Sequence, residues 1–67
     1  MVEKIPRSDV DPHVKSHVGP DGPSWEGQLV HRPSGKVLWT SDYLDSADAA
    51  MKAARDAYFA AIGVRFS

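Results

Sequence analysis

Sixty-seven residues, no cysteine and a formal net charge of −1 describe one small domain that neither disulfides nor thiolate-bound metal can reinforce. A core of this size contributes only about 3–5 kcal/mol unaided, so association with another chain is the usual supplement. The balanced charge excludes a global field that would draw the chain to nucleic acid or anionic lipid.

Residues 1–12 carry five charges and two prolines, with Val2, Ile5 and Val10 as their larger apolar side chains. That composition predicts a flexible N-terminal arm. It also lacks the apolar stretch of a signal peptide, and no later run would span a bilayer, so a cytoplasmic protein without a membrane partner is expected. In residues 13–18, Val14 and Val18 share a face if Ser16 is accepted between them. Val10, Val14 and Val18 also fit one helical turn, but β-branching and the flanking Pro12 and Gly19 favour a first strand. The run Gly19-Pro20-Asp21-Gly22-Pro23 has the chemistry of a reversing loop.

A second strand is predicted over residues 24–31, with Trp25, Gly27, Leu29 and His31 on one face and Glu26, Gln28 and Val30 on the other. Gly27 marks a bulge or a close approach of the helix. Residues 32–36 read as a hairpin loop in which Gly35 takes the left-handed position. The third strand, residues 36–41, alternates Val37 and Trp39 against Leu38 and Thr40. Both faces of this hairpin therefore carry large apolar residues, Val30 and Leu38 on one of them, and one helix covers only one face.

Asp45 or Ser46 caps a helix predicted to reach about Ile62, and Asp45 and Asp48 favour its dipole. At 100° per residue, Ala47, Ala50, Met51, Ala54, Tyr58, Ala61 and Ile62 form the inward stripe, opposite Asp48, Lys52, Arg55 and Asp56. Gly63 is placed to end the helix in a left-handed cap, and Val64-Arg65-Phe66 follow as an extended tail. The predicted fold class is α+β: residues 13–67 form a three-stranded antiparallel β-meander packed by one C-terminal α-helix, with a loose N-terminal arm.

Trp25, Leu29, Gly35-Lys36-Val37-Leu38, Thr40-Ser41, and Ser46 leading into Ala49-Ala50 together resemble the YegP-like family of small bacterial proteins of unknown function. The resemblance covers roughly residues 13–62; it implies a β-β-β-α repeat that pairs with a second repeat, here across a dimer, and brings no catalytic residues. The outline is also similar to the three-stranded DNA-binding domains of plants and the arm-binding domains of phage integrases. Their sheets are rich in arginine, whereas residues 13–41 here hold Lys15, Arg32 and Lys36 against Asp21 and Glu26, three minus two or +1. So few cations predict weak, salt-sensitive binding.

His13 and His17 have a ligand spacing only on a helix, and no acidic or cysteine partner stands at a diagnostic interval. Asp42, Asp45 and Asp48 resemble a carboxylate cluster, yet helix capping accounts for the last two. The serines, histidines and aspartates nominate no triad, and Gly19 and Gly22 precede a strand instead of opening a phosphate-binding helix. No catalytic, cofactor-binding or metal-ligating residue is assigned, and the chain is expected not to be an enzyme. Trp25 and Trp39 are read as core, the alternative being a base-stacking platform flanked by Lys15, Arg32 and Lys36. Phe59, on the charged helical face, and Phe66, past the cap, join Val30 and Leu38 as interface candidates. The expected function is a non-enzymatic protein-interaction module that forms a homodimer and takes other proteins as partners. The alternatives are weak nucleic-acid binding through the sheet, or a phage- or plasmid-type inhibitor of a host protein.

Overall fold

Two glycines with positive φ convert the three alternating segments into a meander. Gly22, at +107°, stands where β1 (Val10–Gly19) turns into β2 (Gly22–His31). Gly35, at +74°, closes the turn into β3 (Lys36–Leu44), with its N–H donating to the His31 carbonyl at 2.7 Å. The computed structural model describes residues 4–67: an antiparallel sheet in the order β1-β2-β3, followed by one helix, α1 (Ala47–Ala60), packed on one face. Among the described residues no helix is long and apolar enough to cross a membrane.

The strands run further than their sequence pattern suggests. β1 begins at Val10 instead of His13, because Val10 is 3% exposed and belongs to the core. Of the expected arm, residues 1–3 lie outside the described residues, and the remainder is tied down. A 3-10 turn spans Arg7–Asp9, and Ile5 bridges Phe66 in parallel, donating to Arg65 O at 2.8 Å and accepting from Ser67 N–H at 2.9 Å. The Arg7 guanidinium lies 4.3 Å from the Phe66 ring centroid and donates to Tyr58 O at 3.0 Å, while Tyr58 Oη–H donates back to Arg7 O at 3.2 Å. Two apolar residues and one arginine thus hold a segment whose overall composition argues for disorder.

The β2–β3 ladder is broken twice, each time by an extra residue in β3. Leu29 faces Trp39 and Val30 faces Val37, which leaves Leu38 unpaired; Glu26 faces Tyr43 and Gln28 faces Thr40, which sets Ser41 and Asp42 against Gly27. The first bulge corrects the strict alternation expected of β3. Val37 sits with Val30 on the uncovered face, whereas Trp39 and Leu38 both pack against the core. At the second bulge Ser41 replaces a missing ladder partner: Gly27 N–H donates to Ser41 Oγ at 2.8 Å, and the Ser41 hydroxyl donates to Asp42 O at 2.7 Å.

Ser46, not Asp45, caps α1, its Oγ accepting from Ala49 N–H at 3.1 Å. The helix stops at Ala60, two residues short of the expected end, because Ala61 already adopts the left-handed conformation at φ +55°. Ile62 N–H then donates to Ala57 O at 2.9 Å and Ala61 N–H to Tyr58 O at 3.4 Å, the Schellman pattern. Ala50, Ala54 and Ala57 are the buried residues of α1, so the inward stripe is rotated toward Ala57, and Ala47, Ala61 and Ile62 are exposed. Gly27 sets this rotation. A Cβ there would meet the Ala50 carbonyl oxygen and come within 3.2 Å of Ala54 N, so the glycine admits the helix backbone. Val10, Leu29, Ala54, Ala57 and Val64 form the core, flanked by Leu38, Trp39, Tyr58 and Phe66.

Candidate functional site

Among the described residues, one helix on a three-stranded sheet leaves a face and two edges open. On the open face the register aligns Asp11 with Val30 and Val37, His13 with Gln28 and Thr40, and Lys15 with Glu26 and Tyr43. Polar contacts dominate it. Gln28 Nε2 donates to Glu26 Oε1 at 2.9 Å, and His17 Nε2 lies 3.9 Å from the same oxygen. The His17 ring meets Tyr43 edge-on with centroids 4.8 Å apart. An open hollow beside this pair, at the β1–β2 turn, is bordered by Pro20, Pro23 and Leu44.

The three cations do not share a surface. Lys15 lies opposite Glu26 on the open face, while Lys36 pairs with His31, whose register position is on the helix side. Arg32 is engaged: Nε donates to Asp11 Oδ2 at 2.8 Å, Nη2 donates to Asp11 Oδ1 at 3.1 Å, and Nη2 also reaches Ser8 O. The hydrogen bond and charge of Asp11 raise the Arg32 pKa above its ordinary value, with a smaller contribution from Asp9. Trp25 and Trp39 are half-buried at helix-side positions, so neither lies on the open face as a stacking platform.

The four interface candidates also separate. Phe59 is 73% exposed on the outer side of α1, and Val30 is half-buried on the open face. Leu38 packs against the core, and Phe66 lies under Arg7 with its ring 5.2 Å from that of Tyr58, so the chain itself uses both. His13 and His17 share the open face, and among the described residues no group of three or more histidines, cysteines, aspartates and glutamates could hold a metal ion. Asp42, Asp45 and Asp48 are exposed around the second bulge and the helix start.

The sequence reading missed the free edge of β1. Val18 is 89% exposed at a helix-side position beyond the N-terminal end of α1, and Tyr43, 64% exposed, stands across the sheet. The signal for that edge lies in the prolines, since Pro12 and Pro20 bracket the only stretch of β1 with an uninterrupted set of backbone donors. No family model, curated protein or solved structure matches the chain.

Proposed function

We propose that this chain is a non-enzymatic protein-interaction module that works as a homodimer. The observation that carries the reading is an imbalance of apolar surface. Leu29 is the one large side chain fully buried among the described residues, while Val18, Val37, Tyr43, Phe59 and Ile62 are exposed. A chain with so little interior gains stability by covering part of this surface with another chain. The surrounding groups suit binding better than chemistry, because the open-face carboxylate of Glu26 is occupied by Gln28 and the guanidinium of Arg32 by Asp11.

Sedimentation equilibrium over the micromolar range tests this: a dimer mass is expected, and a concentration-independent monomer with a cooperative thermal transition overturns it. Duplex binding through Lys15, Arg32 and Lys36 has less support, since Arg32 is paired and Asp42, Asp45, Asp48 and Asp56 lie in the following segment. Binding no tighter than the non-specific range of about 10⁻⁴–10⁻⁶ M at physiological salt is expected.

A further inference from the structure

The two edges of the sheet are unlike. β3 is interrupted by bulges at Leu38 and at Ser41-Asp42, a device that hinders pairing with a further strand. β1 keeps an unbroken register with β2 from Val10 to Gly19. Arg32 N–H donates to Asp9 O at 2.7 Å, and bonded pairs alternate along an antiparallel ladder, so the odd-numbered residues of β1 bond to β2. The even-numbered residues aim their backbone groups at the free edge. Pro12 sits at one of these outward positions, where its missing N–H costs the sheet nothing.

Between Pro12 and Pro20 the outward donors are those of Val14, Ser16 and Val18, a set symmetric about Ser16. We infer that a second copy of this chain pairs antiparallel with β1 across a two-fold axis at Ser16, merging two three-stranded sheets into one continuous sheet; this rests on the homodimer reading above and assigns its interface. In that register Ser16 faces the partner's Ser16, Val14 faces the partner's Val18, and each of these pairs exchanges two backbone hydrogen bonds. Pro12 faces the partner's Pro20, so pairing stops where donors run out. Val18, exposed in the single chain, gains an apolar neighbour beside Trp25, the residue that lies opposite Ser16 on β2. Because α1 packs over Gly27 and Leu29, toward the other end of the sheet, the two helices lie away from the axis.

The chain has no cysteine, so Ser16→Cys introduces a single thiol at the axis. Bonded antiparallel pairs hold Cα atoms about 5.5 Å apart, within the disulfide range of about 4.4–6.8 Å. Mild oxidation should convert Ser16→Cys to a covalent dimer, whereas Thr40→Cys on the bulged edge should stay reduced. Val18→Lys changes an exposed side chain and should leave the single chain folded. It removes two symmetric apolar pairs, so the dimer dissociation constant should rise by about tenfold or more. Amide exchange at Val14, Ser16 and Val18 should slow as concentration rises through that constant. A dimer that neither cross-links through Ser16→Cys nor responds to Val18→Lys overturns this interface and leaves the homodimer reading standing. A monomer at every concentration overturns both.

Discussion

Gly27→Ala places one methyl group where the structure has least room. The added Cβ would meet the Ala50 carbonyl oxygen and lie 3.2 Å from Ala54 N, both backbone atoms of α1 that cannot rotate aside. Relief requires the helix to lift from β2, which separates Ala54 and Ala57 from Leu29 and loosens the core. Overpacking costs about 1–3 kcal/mol, and a backbone contact belongs at the upper end of that range. A loss of about 3 kcal/mol, set against roughly 3–5 kcal/mol for a core of this size, raises the unfolded-to-folded ratio about a hundredfold. Urea unfolding followed by tryptophan fluorescence, at fixed protein concentration, should show the midpoint falling by about 2–3 M, given a slope near 1 kcal/mol/M for so short a chain. Gly19→Ala is the control, because nothing lies within 4 Å of its added Cβ. A Gly27→Ala midpoint at or above that of the unaltered chain would refute the claim that this glycine sets the distance between helix and sheet.

Substitutions at three further positions test local features by the same assay. Ser41→Ala strands the buried Gly27 N–H at the bulge and should cost about 1–3 kcal/mol, whereas Ser41→Thr, which retains a hydroxyl, should recover part of the loss. Ser46→Ala removes the oxygen that caps Ala49 N–H and should cost about 1 kcal/mol, with helical circular dichroism lost first at low denaturant. Ala61→Gly relieves a left-handed alanine whose side chain is exposed, and should stabilise the chain by about 1 kcal/mol; an unchanged midpoint would show that φ +55° carries no strain there.

The meander and the helix were legible because each rests on a local signal: alternation in β2, glycine in both turns, and a serine with alanines behind it in α1. Period-two reasoning placed Trp25, Gly27, Leu29 and His31 on one face of β2, as the pairing shows. It failed at the start of β3 because a bulge inserts a residue without leaving a composition signal: Val37 and Leu38 exchange their expected faces, while Trp39 and Thr40, beyond the bulge, keep theirs. The helix end was misjudged for a related reason. Gly63 does have a positive φ, but the chain turns at Ala61, where Ile62 N–H reaches back to Ala57 O and Val64 drops into the core. Of the candidate surface, Phe59 was legible as an aromatic residue on a charged face. Leu38 and Phe66 were not separable from it, because the bulge and the Arg7 contact that occupy them depend on residues distant in sequence.

The unequal sheet edges and the small interior lead to one more expectation, about the coupling of folding to association. The core draws on small side chains, three alanines from α1 and one glycine from β2, so close approach of backbones replaces apolar bulk as its organising feature. Such a core orders the helix against the sheet but removes little apolar surface from water, and stabilisation scales with the area removed. In the proposed dimer the missing area comes from Val14, Val18 and their symmetry mates, and the backbone groups of the β1 edge acquire partners in the same step. Folding and association are then linked, and a tenfold rise in concentration contributes about 1.4 kcal/mol to the stability of the dimer. For a unit of two such chains that amounts to a rise in Tm of about 3–6 °C per decade of concentration. Val18→Lys should flatten this dependence over the micromolar range, while Phe59→Ala, altering a side chain on the far side of α1, should leave it intact. A Tm independent of concentration across two decades in the unaltered chain would show that the interior described here is sufficient by itself.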